Sequence, residues 1–341
     1  MNFIETRQPS ISLAATLLCC CYCVALTMAS SLTYVVNTSL PVSVPLPPDF
    51  ASFSVEVYCA KNLLVHLDGS PRASYLNMIG FLRNASRLPR GPNVRVGGDS
   101  SDHTIYRDNC TGVPLPPGIT YCSSPSDLAA MSLLATINGT ITIGLNLAHS
   151  VVAEAVEYAN AVSQSTTLKP LVESYEIGNE PDLYASNGLR PSNYTYSGYS
   201  NDFYKWFEAL RTQTNLTFPA IQGAVFCCDF YDLWLAEYIE AYESKGFFTS
   251  ISYHHYPLLA CDHNVVTLSE LLSPYAASSV NFYAPFATIS QKKNESKGFF
   301  TSISYHHYPL LACDHNVVTL SELLSPYAAS SVNFYAPFAT I

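Results

Sequence analysis

The chain reads as an α/β protein, an incomplete (β/α)8 TIM barrel of about six strands. Three observations predict it. Short apolar runs of strand length alternate with longer helical stretches, the order that builds parallel βα units. No Gly-rich turn follows the first strand in "VEVYCAKNLL", and "RVGGDS" at 95–100 has two glycines without the dinucleotide-binding spacing. Polar residues suited to chemistry gather where strands stop, which is where a barrel places its site.

The elements follow in order. "SFSVEV" at 52–57 is the first strand, and "SYLNMIGFLRNAS" at 74–86 the helix after it. "NVRVGG" at 93–98 is the second strand, followed by an irregular Pro-rich loop that carries Cys110 and Cys122. "TITIGLNL" at 140–147 leads into the helix "VVAEAVEYANAVSQS". "VESYEIG" at 172–178 precedes the helix "NDFYKWFEALRTQT" at 201–214. "PAIQGAVF" at 219–226 precedes the helix "LWLAEYIEAYESKG", and "FFTSISYHHY" at 247–256 is the sixth strand.

With 48% hydrophobic and 12% charged residues over 341 positions, the chain has enough apolar material for a large core, and general disorder is excluded. The net charge of -10 offers no basic footprint for a phosphate backbone, so nucleic acid is not an expected partner. The same sign argues slightly against a highly anionic polymer as substrate. Residues 1–29 combine a polar start carrying Arg7, an apolar run from Ile11 and small residues, the pattern of a secretory signal peptide. A membrane anchor is the alternative for a run of this length. After signal cleavage no stable membrane association is expected.

Asn-X-Ser/Thr sequons at Asn37, Asn84, Asn109, Asn138, Asn193, Asn215 and Asn294 fit a secreted, N-glycosylated product. Of the eleven cysteines, Cys19, Cys20, Cys21 and Cys23 leave with the signal run. Cys59, Cys110, Cys122, Cys227, Cys228, Cys261 and Cys313 are available for disulfides, and Cys110 with Cys122 could close a short surface loop, a pairing that spacing alone does not establish. No zinc-ligand spacing appears, the adjacent His254 and His255 point to opposite faces of a strand, and no metal or other cofactor is expected.

Residues 243–289 recur without a change at 295–341, joined by "SQKKN". Architectural repeats drift because each copy packs against different neighbours. Two identical copies point instead to a recent duplication or a gene-assembly error. The expected organisation is therefore a signal peptide at 1–29, a partial (β/α)8 barrel at 30–289, and a linker plus duplicate at 290–341.

The chemistry concentrates in "SYEIGNEPDLY" at 174–184. Alternation along the strand sends Tyr175 and Ile177 outward to helices and Glu176 inward. Glu180 follows at the rim, Pro181 ends the ladder, and Asp182 suits the turn. A carboxyl at a barrel mouth, partly desolvated, can donate a proton to a leaving oxygen, and Asn179 beside it can bond a sugar hydroxyl next to the reacting carbon. The plain alternative is turn chemistry alone. Two more strand ends support the site: "NVRVGGDSSD", with Asp99 and Ser100 as short polar groups, and "SISYHHYP", with Tyr253 and His255 suited to a sugar ring and a carboxylate.

"YEIGNEPDLY", "NVRVGGDSSD" and "ISYHHYP" together resemble glycoside hydrolase family 79, the β-glucuronidase and heparanase group, over about residues 50–260. The resemblance implies a (β/α)8 barrel with a C-terminal β-sandwich, no metal, and retaining hydrolysis of terminal β-glucuronosyl residues through two carboxylates. It implies Glu180 as acid/base, Asn179 as its neighbouring asparagine, and Tyr253 within the aromatic motif of strand six. The family's nucleophile lies on strand seven, and no such strand is legible here. Downstream of Tyr256 only Glu270, Glu295 and Glu322 carry a glutamate carboxyl, none at the end of an apolar strand. The expectation is a secreted glycosidase lacking its last strands and β-sandwich, and inactive for want of the nucleophile. Another retaining barrel β-glycosidase, or a non-catalytic carbohydrate-binding protein, are the alternatives.

Overall fold

A computed structural model describes residues 52–86, 91–227, 233–242, 245–255 and 302–307. The signal segment, Asn37 and Asn294, Cys228, Cys261 and Cys313, Tyr256, the three downstream glutamates, the linker and most of the duplicate lie outside the described residues.

The main sheet is parallel and its strands follow chain order. It comprises β1 (Phe53–Glu56), β2 (Asn93–Gly97), β5 (Thr140–Leu145), β6 (Val172–Ile177), β7 (Ile221–Cys227), β8 (Phe248–His255) and β9 (Ser302–His307). The six expected strands are all present. Between them run α1 (Val57–Leu64), α2 (Ala73–Ser86), α3 (Pro125–Met131), α4 (Val152–Gln164), α5 (Tyr196–Gln213) and α6 (Leu233–Tyr242). This is the βα order of a barrel, laid out as a partial (β/α)8 sheet.

The seventh strand comes from the duplicate. β9 pairs with β8 in register, Ser250 beside Ser302, Tyr253 beside Tyr305 and His255 beside His307. Six identical residues thus lie side by side in the parallel ladder.

The helices bury one stripe each, as a 3.6-residue period requires. In α4 the stripe is Ala155, Tyr158, Ala159 and Val162, and in α5 it is Tyr199, Phe203, Trp206, Phe207 and Leu210. Helix α5 starts five residues before the expected position, at Tyr196, through a stretch rich in Tyr, Ser and Gly. Burial of the Tyr199 ring among Trp234, Phe203 and Phe226 outweighs that weak propensity.

Helix α1 is a difference from the sequence. Val57 extends the first strand's apolar alternation, yet it opens a helix whose Val57, Ala60 and Leu64 are buried. Its backbone N–H donates to Ser100 Oγ at 2.8 Å and not to a strand ladder. A residue 43 positions away therefore ends the strand.

The irregular loop is ordered into a short parallel pair, β3 (Thr104–Tyr106) and β4 (Tyr121–Ser123). It is tied by the Cys110–Cys122 disulfide, with a Cα–Cα separation of 5.8 Å. Helix α3 then starts on a capping box made by Ser124 and Asp127.

Candidate active site

The two faces of the sheet differ in chemistry. Val94, Val96, Ile141, Ile143, Tyr175 and Ile177 join the apolar core, while the alternate residues Arg95, Thr142, Ser174 and Glu176 are buried and polar. The inner face is therefore a hydrogen-bonded network rather than the branched aliphatic filling common in barrels. Arg95 Nε donates to Glu176 Oε2 at 2.5 Å, Gln222 Nε2 donates to Glu176 Oε1 at 2.8 Å, and Ser250 Oγ donates to Gln222 Oε1 at 2.8 Å. One line of polar contacts thus crosses from β2 to β8. Both Glu176 oxygens are engaged inside it, which fixes that carboxyl as structural.

The segment after β6 builds on this floor. Gly178 has φ of +81°, and a Cβ there would lie 2.5 Å from the Tyr184 hydroxyl, so only glycine fits. Asn179 is buried, and its Oδ1 accepts from Arg95 Nη2 at 2.9 Å. Arg95 therefore holds Glu176 and Asn179 together.

Glu180 stands at φ 51° and ψ 51°, a left-handed conformation that costs a non-glycine residue about 1–3 kcal/mol. The surroundings hold it there: Glu180 N donates to Val225 O at 2.9 Å. On the facing strand, Ala224 and Val225 are themselves at φ 73° and 57°, where the β7–β8 register shifts. Such bulges re-aim a strand end beside a site. Asp182 completes the turn by accepting Cys227 N at 3.0 and 3.1 Å on its two oxygens. The Glu180 carboxyl, with its side chain 18% exposed, meets His254 Nδ1 at 2.7 Å from Oε1. It is thus reachable from solvent and oriented by a buried imidazole.

The sequence singles out His255, whereas the histidine that meets Glu180 is His254. The signal was present in the period-two pattern, because Ser250 and Ser252 share the parity of His254 and lie buried while Ile251 packs in the core. Tyr253 and His255 lie on the β8 backbone, Tyr253 in register with Phe226, and their side chains are outside the described residues.

The loop after β2 places its polar groups differently from one another. Ser100 is buried and donates from Oγ to Glu56 Oε2 at 2.5 Å, while its N–H donates to the same oxygen at 2.9 Å. That hydroxyl is committed to closing the end of β1. Asp99 is exposed, with His103 Nε2 3.9 Å away. Gly98, at φ +75°, admits the Glu56 carboxylate where a Cβ would collide.

Asp102, three residues on, reaches the site from below. It is wholly buried, and burial pushes its carboxyl above the usual range, opposed by hydrogen bonds from Tyr184, Leu147, Ala148 and Asn179. Burial beside that carboxylate likewise holds the Tyr184 phenol well above its ordinary value.

Among the described residues no group of three His, Cys, Asp or Glu side chains gathers to hold a metal, and no helix is long and apolar enough to cross a membrane.

No protein-family model and no curated protein matches the chain. Solved structures do. A 4-O-α-L-rhamnosyl-β-D-glucuronidase from Fusarium oxysporum 12S superposes with a TM-score of 0.55 at 19% identity, covering 80% of this chain and 59% of that one. A GH51 arabinofuranosidase from Xanthomonas axonopodis pv. citri gives 0.52 at 15% identity, covering 79% and 58%. A family 51 α-L-arabinofuranosidase from Bifidobacterium longum gives 0.50 at 14% identity, covering 83% and 63%. The chain has a glycoside-hydrolase-like barrel fold. It spans less than two thirds of the length of each of these enzymes.

Proposed function

We propose that this chain carries the acid/base half of a retaining β-glycosidase site, of the family 79 type, with a terminal β-glucuronosyl residue as its sugar. The observation that carries the proposal is the Glu180 carboxyl at the strand-end rim, bonded to His254 and adjacent to an Asn179 held by Arg95. In this role Glu180 donates a proton to the leaving oxygen and Asn179 bonds the hydroxyl beside the reacting carbon. His254 fixes the carboxyl through the contact at Nδ1.

Retaining hydrolysis also needs a second carboxylate about 5 Å from the first. The strand that follows β8 in the sheet is β9, whose sequence "SISYHH" contains neither Asp nor Glu. We infer on this ground that the chain binds its sugar without turning it over. Entry into the secretory pathway belongs to the same proposal, supported by the Cys110–Cys122 disulfide and by exposed sequon asparagines at Asn109, Asn138, Asn193 and Asn215. One second reading is a different glycoside as ligand, in line with a barrel fold that this chain has in common with an α-L-arabinofuranosidase.

Calorimetry on the purified chain with a panel of 4-nitrophenyl glycosides, the β-D-glucuronide and the α-L-arabinofuranoside among them, tests this. Expected are binding of the glucuronide, a loss of about tenfold or more in Asn179→Ala, equivalent to 1.4 kcal/mol, and no nitrophenol release. Preferred binding of another glycoside moves the proposal to the second reading. Nitrophenol release that Glu180→Gln abolishes overturns the inactivity, and failure to bind any of the glycosides overturns the sugar proposal.

A further inference from the structure

Asp102 makes four contacts that the proton-donor role of Glu180 does not by itself require. Its Oδ1 accepts Leu147 N at 3.0 Å and Ala148 N at 3.1 Å. Its Oδ2 accepts Asn179 N at 2.9 Å and Tyr184 OH at 2.6 Å. The Tyr184 hydroxyl in turn accepts from Asn179 N at 3.3 Å. One buried carboxylate thereby grips the segment after β5 and the segment after β6.

A cation closes the circuit from the other side. Arg190 Nη2 donates to Leu147 O at 2.8 Å and Nη1 donates to Ala148 O, so the two residues that give their N–H groups to Asp102 give their carbonyls to Arg190. The guanidinium carbon lies 5.6 Å from the Tyr184 ring centroid and 5.5 Å from that of Tyr194. Its charge is shared with Asp202, whose Oδ2 is 3.4 Å from Nη2. Arg190 and Tyr184 both belong to the segment that follows Glu180. Three strand exits, after β2, β5 and β6, are therefore locked through Asp102.

We propose that Asp102 is the positioning residue of the site: it fixes the backbone of Asn179 and thereby holds Glu180 in its left-handed conformation, with the carboxyl aimed at His254. The inference rests on the acid/base assignment of Glu180 and gives it a structural cause. A left-handed glutamate between Gly178 and Pro181 persists only when its neighbours overdetermine it. The amide before it is held by Asp102 and its own amide by Val225 O. All four direct neighbours of Asp102 are donors, so the carboxylate form suits them and an amide does not. Asp102→Asn puts an NH2 group against two of the donors whichever way it is turned.

The test uses the full chain without sugar. Amide exchange of Asn179 and Glu180 is measured by mass spectrometry, and the Glu180 carboxyl is titrated by NMR on glutamate-labelled protein. Asp102→Asn is expected to speed exchange at these two amides about tenfold or more while exchange in α4 stays as in the wild type. It is also expected to move the Glu180 titration midpoint by about half a pH unit or more, because the carboxyl loses its fixed place beside His254. A merely structural Asp102 would lower protection everywhere and leave that midpoint where it was.

Tyr184→Phe removes one donor and keeps the carboxylate. It is expected to move both readouts in the same direction by a smaller amount, and it decides the matter should Asp102→Asn not fold. Unchanged exchange at Asn179 and Glu180, or an unchanged Glu180 midpoint, in a folded variant overturns the positioning role. Neither readout involves a glycoside, so failure of the sugar proposal and failure of this one are seen separately.

Discussion

Glu176 and Glu180 lie four residues apart on one strand exit, and their surroundings give them opposite tasks. Glu176 is fully buried, with Arg95 on one oxygen and Gln222 on the other. Glu180 sits past the strand end, partly exposed, with His254 on Oε1. The same functional group is a fixed counter-ion in the interior and a solvent-reachable carboxyl at the rim. What separates them is solvent access and the partner: a guanidinium and an amide enclose Glu176, whereas Glu180 is open to solvent beside an imidazole.

The largest effect should come from breaking the interior member. Glu176→Gln leaves the Arg95 charge buried without its counter-ion and is expected to cost about 3–5 kcal/mol of stability, read from urea unfolding. The double variant Arg95→Met with Glu176→Met should recover most of that loss. A Glu176→Gln protein as stable as wild type would mean that Arg95 and Glu176 are not a sealed pair.

Next in size is the partner of the rim carboxyl. His254→Ala should cost about 1.5–3 kcal/mol, the range for a hydrogen bond to a charged group, read from urea unfolding. A His254→Ala protein as stable as wild type would show that the contact with Glu180 contributes nothing to the fold.

The smallest effect is expected at Glu180 itself. Glu180→Gln keeps the size and an acceptor oxygen, so unfolding should shift by less than about 1 kcal/mol. A loss matching that of Glu176→Gln would abolish the contrast between interior and rim and make Glu180 a structural residue as well.

The alternation of strands and helices is legible because it is local: each element advertises its period in its own residues. The inward course of Glu176 and the rim position of Glu180 follow from the same period-two rule applied to "YEIGNE". The choice of His254 over His255 was legible too, through the parity of Ser250 and Ser252, once the inner face is known to be polar. Asp102 was visible only as one of several polar residues after a Gly-Gly turn. Its four donors come from Leu147, Ala148, Asn179 and Tyr184, up to 82 residues away.

The amino-acid order by itself determined the α/β class, the six βα-type strands and the placement of Asn179 and Glu180 at a strand exit, and it offered Cys110 with Cys122 as a candidate loop closure that the structure then made a disulfide. These depend on spacing along the chain, which covalent geometry and side-chain period convert directly into direction. Only the tertiary structure decided that β1 stops at Glu56, that Ser100 is spent on Glu56, and that the copy enters the sheet beside its original. The capture of Asn179 by Arg95 and Asp102 belongs with these. Each is a contact between segments brought together by folding, and its energy depends on burial and partner geometry that no local pattern encodes.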